Sequence, residues 1–267
     1  MMESVAYSLS NSLNQTAVRF PTFYVFKKDE VRIAQRKIWE KYFELRDERD
    51  FVGMYIHIPY CTSRCSYCGY GSCLTRSGIA DTQVDVLLSE LEEMSHVFAN
   101  REISTISFGG GSPTLLSPAQ LDKILRIVDR NWNISKRPGG LRGVEGHPHQ
   151  VTSEHIAVLK DSFINRMNLG VQSFERSVLK KENRQVTTIE KLSELCSDFH
   201  AAGIDVNLDF IIGLYGQTEE MVLRDVRDAL TLGTETVFVY ELKPSGTHPV
   251  NRPWIRSVAA KLYTHVY

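Results

Sequence analysis

The chain has 267 residues, 42% of them hydrophobic and 24% charged, and its 31 basic and 32 acidic side chains leave a formal net charge of −1. That length can bury a substantial core as one large domain or two small ones. The balanced charge removes any broad electrostatic case for nucleic acid, and no apolar run approaches the ~20 residues needed to cross a bilayer.

Residues 1–20 are polar, rich in Ser and Asn and without a clear period, so a disordered or loosely attached start is expected. Met1–Ala6 has neither the basic start nor the apolar stretch of a signal peptide. Five cysteines, odd in number and clustered, do not suit a disulfide framework, and a reducing, cytoplasmic setting is expected. Between Lys28 and Arg46 a helix-like stripe of Val31, Ile33, Ile38, Trp39, Tyr42 and Leu45 predicts an external helix. Residues 1–50 thus read as an N-terminal extension.

From Phe51 a strand–helix alternation begins and repeats six times. The predicted strands are Phe51–Pro59, Ile103–Gly109, Leu141–Glu145, Arg166–Phe174, Val206–Leu214 and Thr236–Leu242. Several are near-continuous apolar runs, as strands covered by helices tend to be. Leu87, Leu88, Leu91, Met94, Val97 and Phe98 form one face of the first helix. Ser117-Pro118-Ala119-Gln120 supplies an N-cap, a first-turn Pro and a capping box. Thr187-Thr188-Ile189-Glu190 repeats the box, and Gly203 stops that helix. Thr218 opens the last helix, with Met221, Val222, Val226 and Leu230 inward and Gly233 as its stop. Glu175–Arg184 reads as a short helix.

Six βα units imply a parallel sheet with right-handed crossovers. A closed eightfold barrel takes ~250 residues. The expectation is therefore an α/β fold, a partial (β/α)6 TIM-like barrel over residues 51–245, with 246–267 opening a C-terminal region. Sites in such folds lie at the C-terminal ends of the strands. The residues at those ends are the unusual ones.

The first strand runs into Cys61-Thr-Ser-Arg-Cys65-Ser-Tyr-Cys68. Three thiolates on one short loop can hold three corners of an iron–sulfur cube and leave the fourth iron without a protein ligand. The rival is zinc, with Cys73 or His57 as a fourth ligand, but the spacing is not that of paired C-x2-C knuckles. Cys73 is expected to stay a free thiol and Cys196 to be buried. Tyr55 and His57 share one face of their strand and line the cavity if that face is inward. Gly109-Gly110-Gly111-Ser112 follows the second strand and is neither a dinucleotide nor a Walker fingerprint.

Tyr55-Ile-His57-Ile-Pro59-Tyr60-Cys61-x3-Cys65-x-Tyr67-Cys68 and Phe108-Gly-Gly-Gly-Ser-Pro-Thr114 resemble the radical S-adenosylmethionine (SAM) superfamily. Within it they are similar to the branch of oxygen-independent coproporphyrinogen III oxidase. The likeness continues through Asn168-Leu-Gly-Val-Gln-Ser-Phe174 and Leu208-Asp-Phe-Ile-Ile-Gly-Leu-Tyr-Gly-Gln-Thr218, across residues 51–245. The resemblance implies a 4Fe-4S cluster on Cys61, Cys65 and Cys68 whose open iron chelates SAM. One electron then yields a 5′-deoxyadenosyl radical that attacks a tetrapyrrole or another organic substrate. It implies that Tyr67 packs on adenine and that Gly110, Gly111 and Ser112 let backbone approach the SAM amino group; Glu145, at its strand end, is the candidate for SAM hydroxyls or its amino group, and Tyr55 counts among the cofactor-binding residues. Gln172, Arg184 and Asp209 match positions that contact a second SAM. A reducing partner such as flavodoxin or ferredoxin is implied, and no nucleic acid or membrane.

The chain departs from the coproporphyrinogen enzyme at Tyr70, where that enzyme carries another cysteine. This favours related members: haem chaperones, haem-degrading methyltransferases, and methylating or cyclopropanating enzymes of natural-product pathways. The branch normally continues beyond the position of Tyr267 into a domain over the barrel mouth, so a truncated chain or a completing partner is expected. His147 and His149 read as solvated loop residues outside the site.

Overall fold

The computed structural model describes residues 17–19, 37, 40, 52–70, 72–137, 139–242, 254–255 and 257–258. Seven strands form one sheet: β1 (Ala17–Arg19), β2 (Val52–Ile58), β5 (Ile103–Gly110), β6 (Arg142–Gly146), β7 (Arg166–Gln172), β8 (Asp205–Ile212) and β9 (Thr236–Glu241). They lie in that order and every pairing is parallel. Two further short strands, β3 (Tyr60–Cys61) and β4 (Cys73–Leu74), pair with each other and bracket the cysteine loop. The helices are α1 (Asp81–Val97), α2 (Pro118–Asn131), α3 (Ser153–Lys160), α4 (Arg176–Lys181), α5 (Ile189–Ala201) and α6 (Glu219–Leu230). The six predicted strands, β2 and β5–β9, are all present and form the expected partial (β/α)6 TIM-like barrel. No helix among the described residues is long and apolar enough to cross a membrane.

The chain's start differs from expectation. Ala17–Arg19, expected to be loose, pairs in register with Gly53–Tyr55. The outer edge of β2 would otherwise present unpaired N–H and C=O groups, and three extended residues satisfy them. Of the expected helix 28–46, only Lys37 and Glu40 are described, and both are helical. Most of 246–267 lies outside the described residues; Ile255 and Val258 are buried in a cluster with Ile212 and Val222.

Strands β2, β7 and β8 each have one dry and one more polar face. Met54, Ile56 and Ile58, then Met167, Leu169 and Val171, then Val206, Leu208 and Phe210 are buried in the main core beneath the helices. Tyr55 and His57, Asn168 and Gln172, and Asp209 point the other way and are only partly covered. The sheet's inner face is therefore a polar lumen wall.

The helix ends follow local chemistry, with two shifts. Ser117 and Gln120 make the expected reciprocal box, Gln120 N–H to Ser117 Oγ at 3.2 Å and Ser117 N–H to Gln120 Oε1 at 3.0 Å. For α5 the cap is Thr188, not Thr187, and accepts from Lys191 N–H. The third helical residue is thus a lysine, which cannot return the bond, so no box forms. On α6, Leu230 is exposed, and the buried positions are Val222, Asp225, Val226 and Ala229. An unanticipated box starts α3, where His155 accepts from Thr152 N–H and donates its own N–H to Thr152 Oγ1.

Candidate functional site

The cysteine loop is held at its base by backbone. Cys73 N–H donates to Pro59 O at 2.6 Å and Thr75 N–H to Cys61 O at 2.9 Å; Cys68 N–H closes a turn onto Cys65 O at 3.1 Å. Cys61, Cys65 and Cys68 are half-buried, Cys73 is exposed and Cys196 is buried. Among the described residues no three Cys, His, Asp or Glu side chains converge on one point as a single-ion site requires. Three thiolates spread along a loop suit a cluster, in which each ligates its own iron. Burial pushes the Cys61 thiol up, helped by Cys68 and Cys65 and opposed by a Ser72 hydrogen bond and the Arg184 charge. Loading metal therefore releases protons.

Three consecutive residues after α4 grip this loop. Glu182 is wholly buried; its carboxylate accepts from the Ser66 hydroxyl and from Tyr215 N–H at 2.6 Å, and its carbonyl accepts from Ser66 N–H at 3.0 Å. Asn183, at φ 51°, donates Nδ2 to Arg64 O at 2.9 Å. Arg184 donates Nη1 to Cys65 Sγ at 3.5 Å and Nη2 to the Gly170 carbonyl. Arg64, Cys65 and Ser66 are thus each bound by one residue of Glu182–Arg184. Of these three, the sequence singled out only Arg184.

Tyr67 packs beside α4 in a small apolar cluster with Val178, Leu179, Leu214 and Leu242. Its hydroxyl is buried without a well-formed hydrogen bond, with Cys65 beside it, and burial raises its pKa strongly.

On the lumen side the glycine turn seats against Tyr55, His57 and Glu145. A Cβ at Gly109 would lie 2.6 Å from both the Glu145 carboxylate and the Tyr55 hydroxyl. Gly110 has φ +108°, and a Cβ there would meet the His57 ring at 2.5 Å. Gly111 is likewise filled, since a Cβ would meet the Tyr60 carbonyl oxygen at 2.5 Å. The expected reason for these glycines was access to a ligand; the structure adds that protein already occupies their Cβ positions. The Ser112 side chain is turned into a buried network, donating to Gln150 Oε1 and lying 3.3 Å from Thr114 Oγ1.

Glu145 and Asp209 face this lumen together. Glu145 is reachable by solvent yet hemmed in by protein, and that enclosure raises its carboxyl, opposed by the Gly110 N–H. Burial, aided by the Glu145 charge and opposed by Arg184, pushes Asp209 up to about 7. Asp209 Oδ1 and Arg184 Nε are buried without hydrogen-bond partners, so this wall has polar valences left for a ligand. Gln172 adopts φ 73° at a register shift between β7 and β8. A Cβ on Gly170 would meet both Gln172 Nε2 at 2.8 Å and Arg184 Nη2 at 3.0 Å. Gln172, Arg184, Asp209 and Glu145 are therefore brought together on one wall.

His147 belongs here too, contrary to the expectation of a solvated loop residue. The turn Pro148–Gln150 folds it inward, its Nδ1 accepts His149 N–H at 3.4 Å, and its N–H donates to Thr114 Oγ1 at 3.1 Å. Burial, then the Arg184 and His149 charges, push it down to about 3, so it is a neutral imidazole. His149 is exposed, as expected, with its ring on the Val186 carbonyl.

These shifts predict a pH signature for the ligand-free protein. Between an unfolded value of ~3.9 and the folded value of about 7, native Asp209 holds a proton that the unfolded chain has released. Stability from this group is thus greatest at low pH and is lost as pH rises through 7. Asp209→Asn is expected to melt above wild type, by a smaller margin at pH 5 than at pH 8.5. The opposite slope from His147 is common to both proteins and cancels in the difference. An Asn-minus-wild-type gap that does not widen with pH would contradict this assignment.

Residues 55–229 match the radical SAM superfamily. The chain is 33% identical over 188 residues to the heme chaperone HemW of Lactococcus lactis subsp. lactis (strain IL1403), covering 70% of this chain and 48% of that protein. It is 31% identical over 215 residues to the oxygen-independent coproporphyrinogen III oxidase of Pseudomonas aeruginosa, covering 78% of this chain and 47% of the oxidase. The chain spans about half the length of the curated relatives it matches. Among solved structures, coproporphyrinogen III oxidase (HemN) from Escherichia coli superposes with a TM-score of 0.73 at 24% identity, over 96% of this chain and 61% of that one. With its thiol loop at the mouth of a partial parallel barrel, the chain belongs to the radical SAM superfamily and fits its HemN-like branch.

Proposed function

We propose that this chain is a radical SAM iron–sulfur enzyme in which Cys61, Cys65 and Cys68 ligate three irons of a 4Fe-4S cluster and the fourth is left to SAM. Once bound and reduced by one electron, that cofactor pair supplies reductive cleavage of the sulfonium to a 5′-deoxyadenosyl radical. The chain's own residues bind, orient and enclose. Glu145 and Tyr55 receive the polar groups of SAM, and the turn Gly110–Ser112 offers backbone carbonyls to its amino group. Tyr67 bounds the adenine side of the loop. Gln172, Arg184 and Asp209 form the farther wall, for a second SAM or for polar groups of a tetrapyrrole or similar organic substrate.

One observation carries this reading. A single guanidinium, Arg184, bonds to Cys65 Sγ and acts electrostatically on Asp209 and His147. A ligand on the open iron would thus meet the polar wall directly. Anaerobic reconstitution is expected to give about four irons per chain, and reduction with SAM to give 5′-deoxyadenosine. An intact cluster that yields none would overturn enzymatic turnover.

The similarity to HemW supports a second reading, a haem-binding protein of the same architecture. Stoichiometric haem binding with no substrate-dependent 5′-deoxyadenosine would favour it. A methylating or cyclopropanating enzyme would instead show transfer of a carbon from SAM to the substrate.

A further inference from the structure

The short stretch Glu182–Arg184 brings two opposite charges to the cysteine loop. Glu182 is 0% exposed. Its Oε2 accepts the Ser66 hydroxyl, its Oε1 accepts Tyr215 N–H at 2.6 Å, and its own carbonyl accepts Ser66 N–H at 3.0 Å. A carboxyl group with a donor on each oxygen is held as the anion. Ser66 directly follows Cys65 in the chain, so this buried anion is anchored one residue from a thiol. Arg184 brings a cation to the same thiol directly, Nη1 to Cys65 Sγ at 3.5 Å. Bonds at more than one point fix both groups: Glu182 ties the cysteine loop to the loop after β8, and Arg184 Nη2 is tied to the Gly170 carbonyl.

We propose that Glu182 and Arg184 are positioning residues that set the reduction potential of the cluster on this loop, in opposite directions. Glu182 acts through Ser66 and lowers it; Arg184 acts through Cys65 and raises it. The inference rests on the reading of the loop as a 4Fe-4S site. Potentials of such clusters follow net charge, hydrogen bonds to the sulfurs and solvent exposure, and partners of the ligands tune them. A fixed anion opposes the arrival of an electron, whereas a cation with an N–H on the sulfur favours it. Both groups lie against the loop inside the fold, where charges are screened far less than at the surface. The balance matters for the reaction. A lower potential makes the reduced site a stronger donor to a sulfonium, and a higher one makes the site easier to reduce.

The test is a redox titration of the reconstituted protein without SAM, with dithionite as the electron donor and dye mediators, read by the electron paramagnetic resonance signal of the reduced cluster. Glu182→Gln keeps the side-chain volume and an oxygen for Tyr215 N–H, and the Ser66 hydroxyl can turn to accept from its amide. It is expected to keep ~4 irons per chain and to move the midpoint upward by ~10-fold in the reduction equilibrium, about 59 mV for one electron. Arg184→Gln removes the cation and is expected to move the midpoint downward by a similar factor. Both shifts should persist near 1 M salt, which screens exposed charges beyond ~3 Å but buried ones much less. A loosened or wetter loop would move both variants the same way, so shifts of one sign overturn the proposal, as does an unchanged midpoint in either variant. Loss of the cluster from either variant also overturns it, because that residue is then needed to form the site and not to tune it. Failure of the underlying reading looks different: wild type itself would take up no iron–sulfur cluster and give no signal on reduction.

Discussion

Cys65→Ala is expected to hold far less than the wild-type ~4 irons per chain after anaerobic reconstitution and to form no 5′-deoxyadenosine. In the proposed cluster Cys65 is the middle ligand; it accepts the Arg184 hydrogen bond, and its carbonyl closes the turn that sets Cys68. Alanine leaves two thiolates for a cube that needs three, and a two-ligand cluster has two open irons exposed to loss. Cys73→Ala is the matched control, since Cys73 is exposed on β4 and its backbone N–H, not its thiol, holds Pro59. It should keep the full iron content and the full product yield. A zinc site using Cys73 as its fourth ligand predicts the reverse: zinc lost from both variants, with little iron in wild type. Iron, zinc and sulfide analysis of the three proteins side by side decides between these outcomes.

What could be read from the chain, and what could not, divides by range. The strands were legible because their outward faces are apolar at every second residue, as in Met167, Leu169 and Val171. The same period places Tyr55 and His57 on the opposite face, and the spacing of the loop cysteines marks them out. What no local pattern carries depends on contacts between remote segments. The Ser66–Glu182 bond joins residues 116 apart, and neither side chain belongs to a local pattern. His147 looked like a solvated loop residue because its burial comes from the fold of the turn that follows and from Arg184 across the lumen. The α6 stripe departs from expectation at Leu230 because burial favours Asp225, whose partners lie on β7's exit and not on the helix itself. Ala17–Arg19 leaves no trace in the pattern because three residues are too few for a periodic signal.

That buried aspartate carries the second large effect. Asp225 is 2% exposed; it accepts the Ser173 hydroxyl at 2.6 Å and Phe174 N–H at 3.1 Å. Burial pushes it up to about 6 against those two hydrogen bonds, so at pH 8 it is a carboxylate. Ser173 in turn accepts Glu175 N–H at 3.1 Å. This network begins one residue after Gln172, whose left-handed φ of 73° costs a non-glycine residue ~1–3 kcal/mol. The anchor therefore holds the bend that turns Gln172 towards Arg184. Asp225→Ala leaves a buried hydroxyl and a buried N–H unpaired at roughly 1–3 kcal/mol each. At about 2–4 °C per kcal/mol for a chain of this size, the melting temperature should fall by several degrees, roughly 5–15 °C. Asp225→Asn keeps one acceptor and the side-chain volume and should lose less than half as much. Both variants should also weaken SAM binding to the reconstituted protein, because without the anchor Gln172 can relax to extended backbone. An alanine variant melting within about 2 °C of wild type would show that Asp225 does not hold the bend.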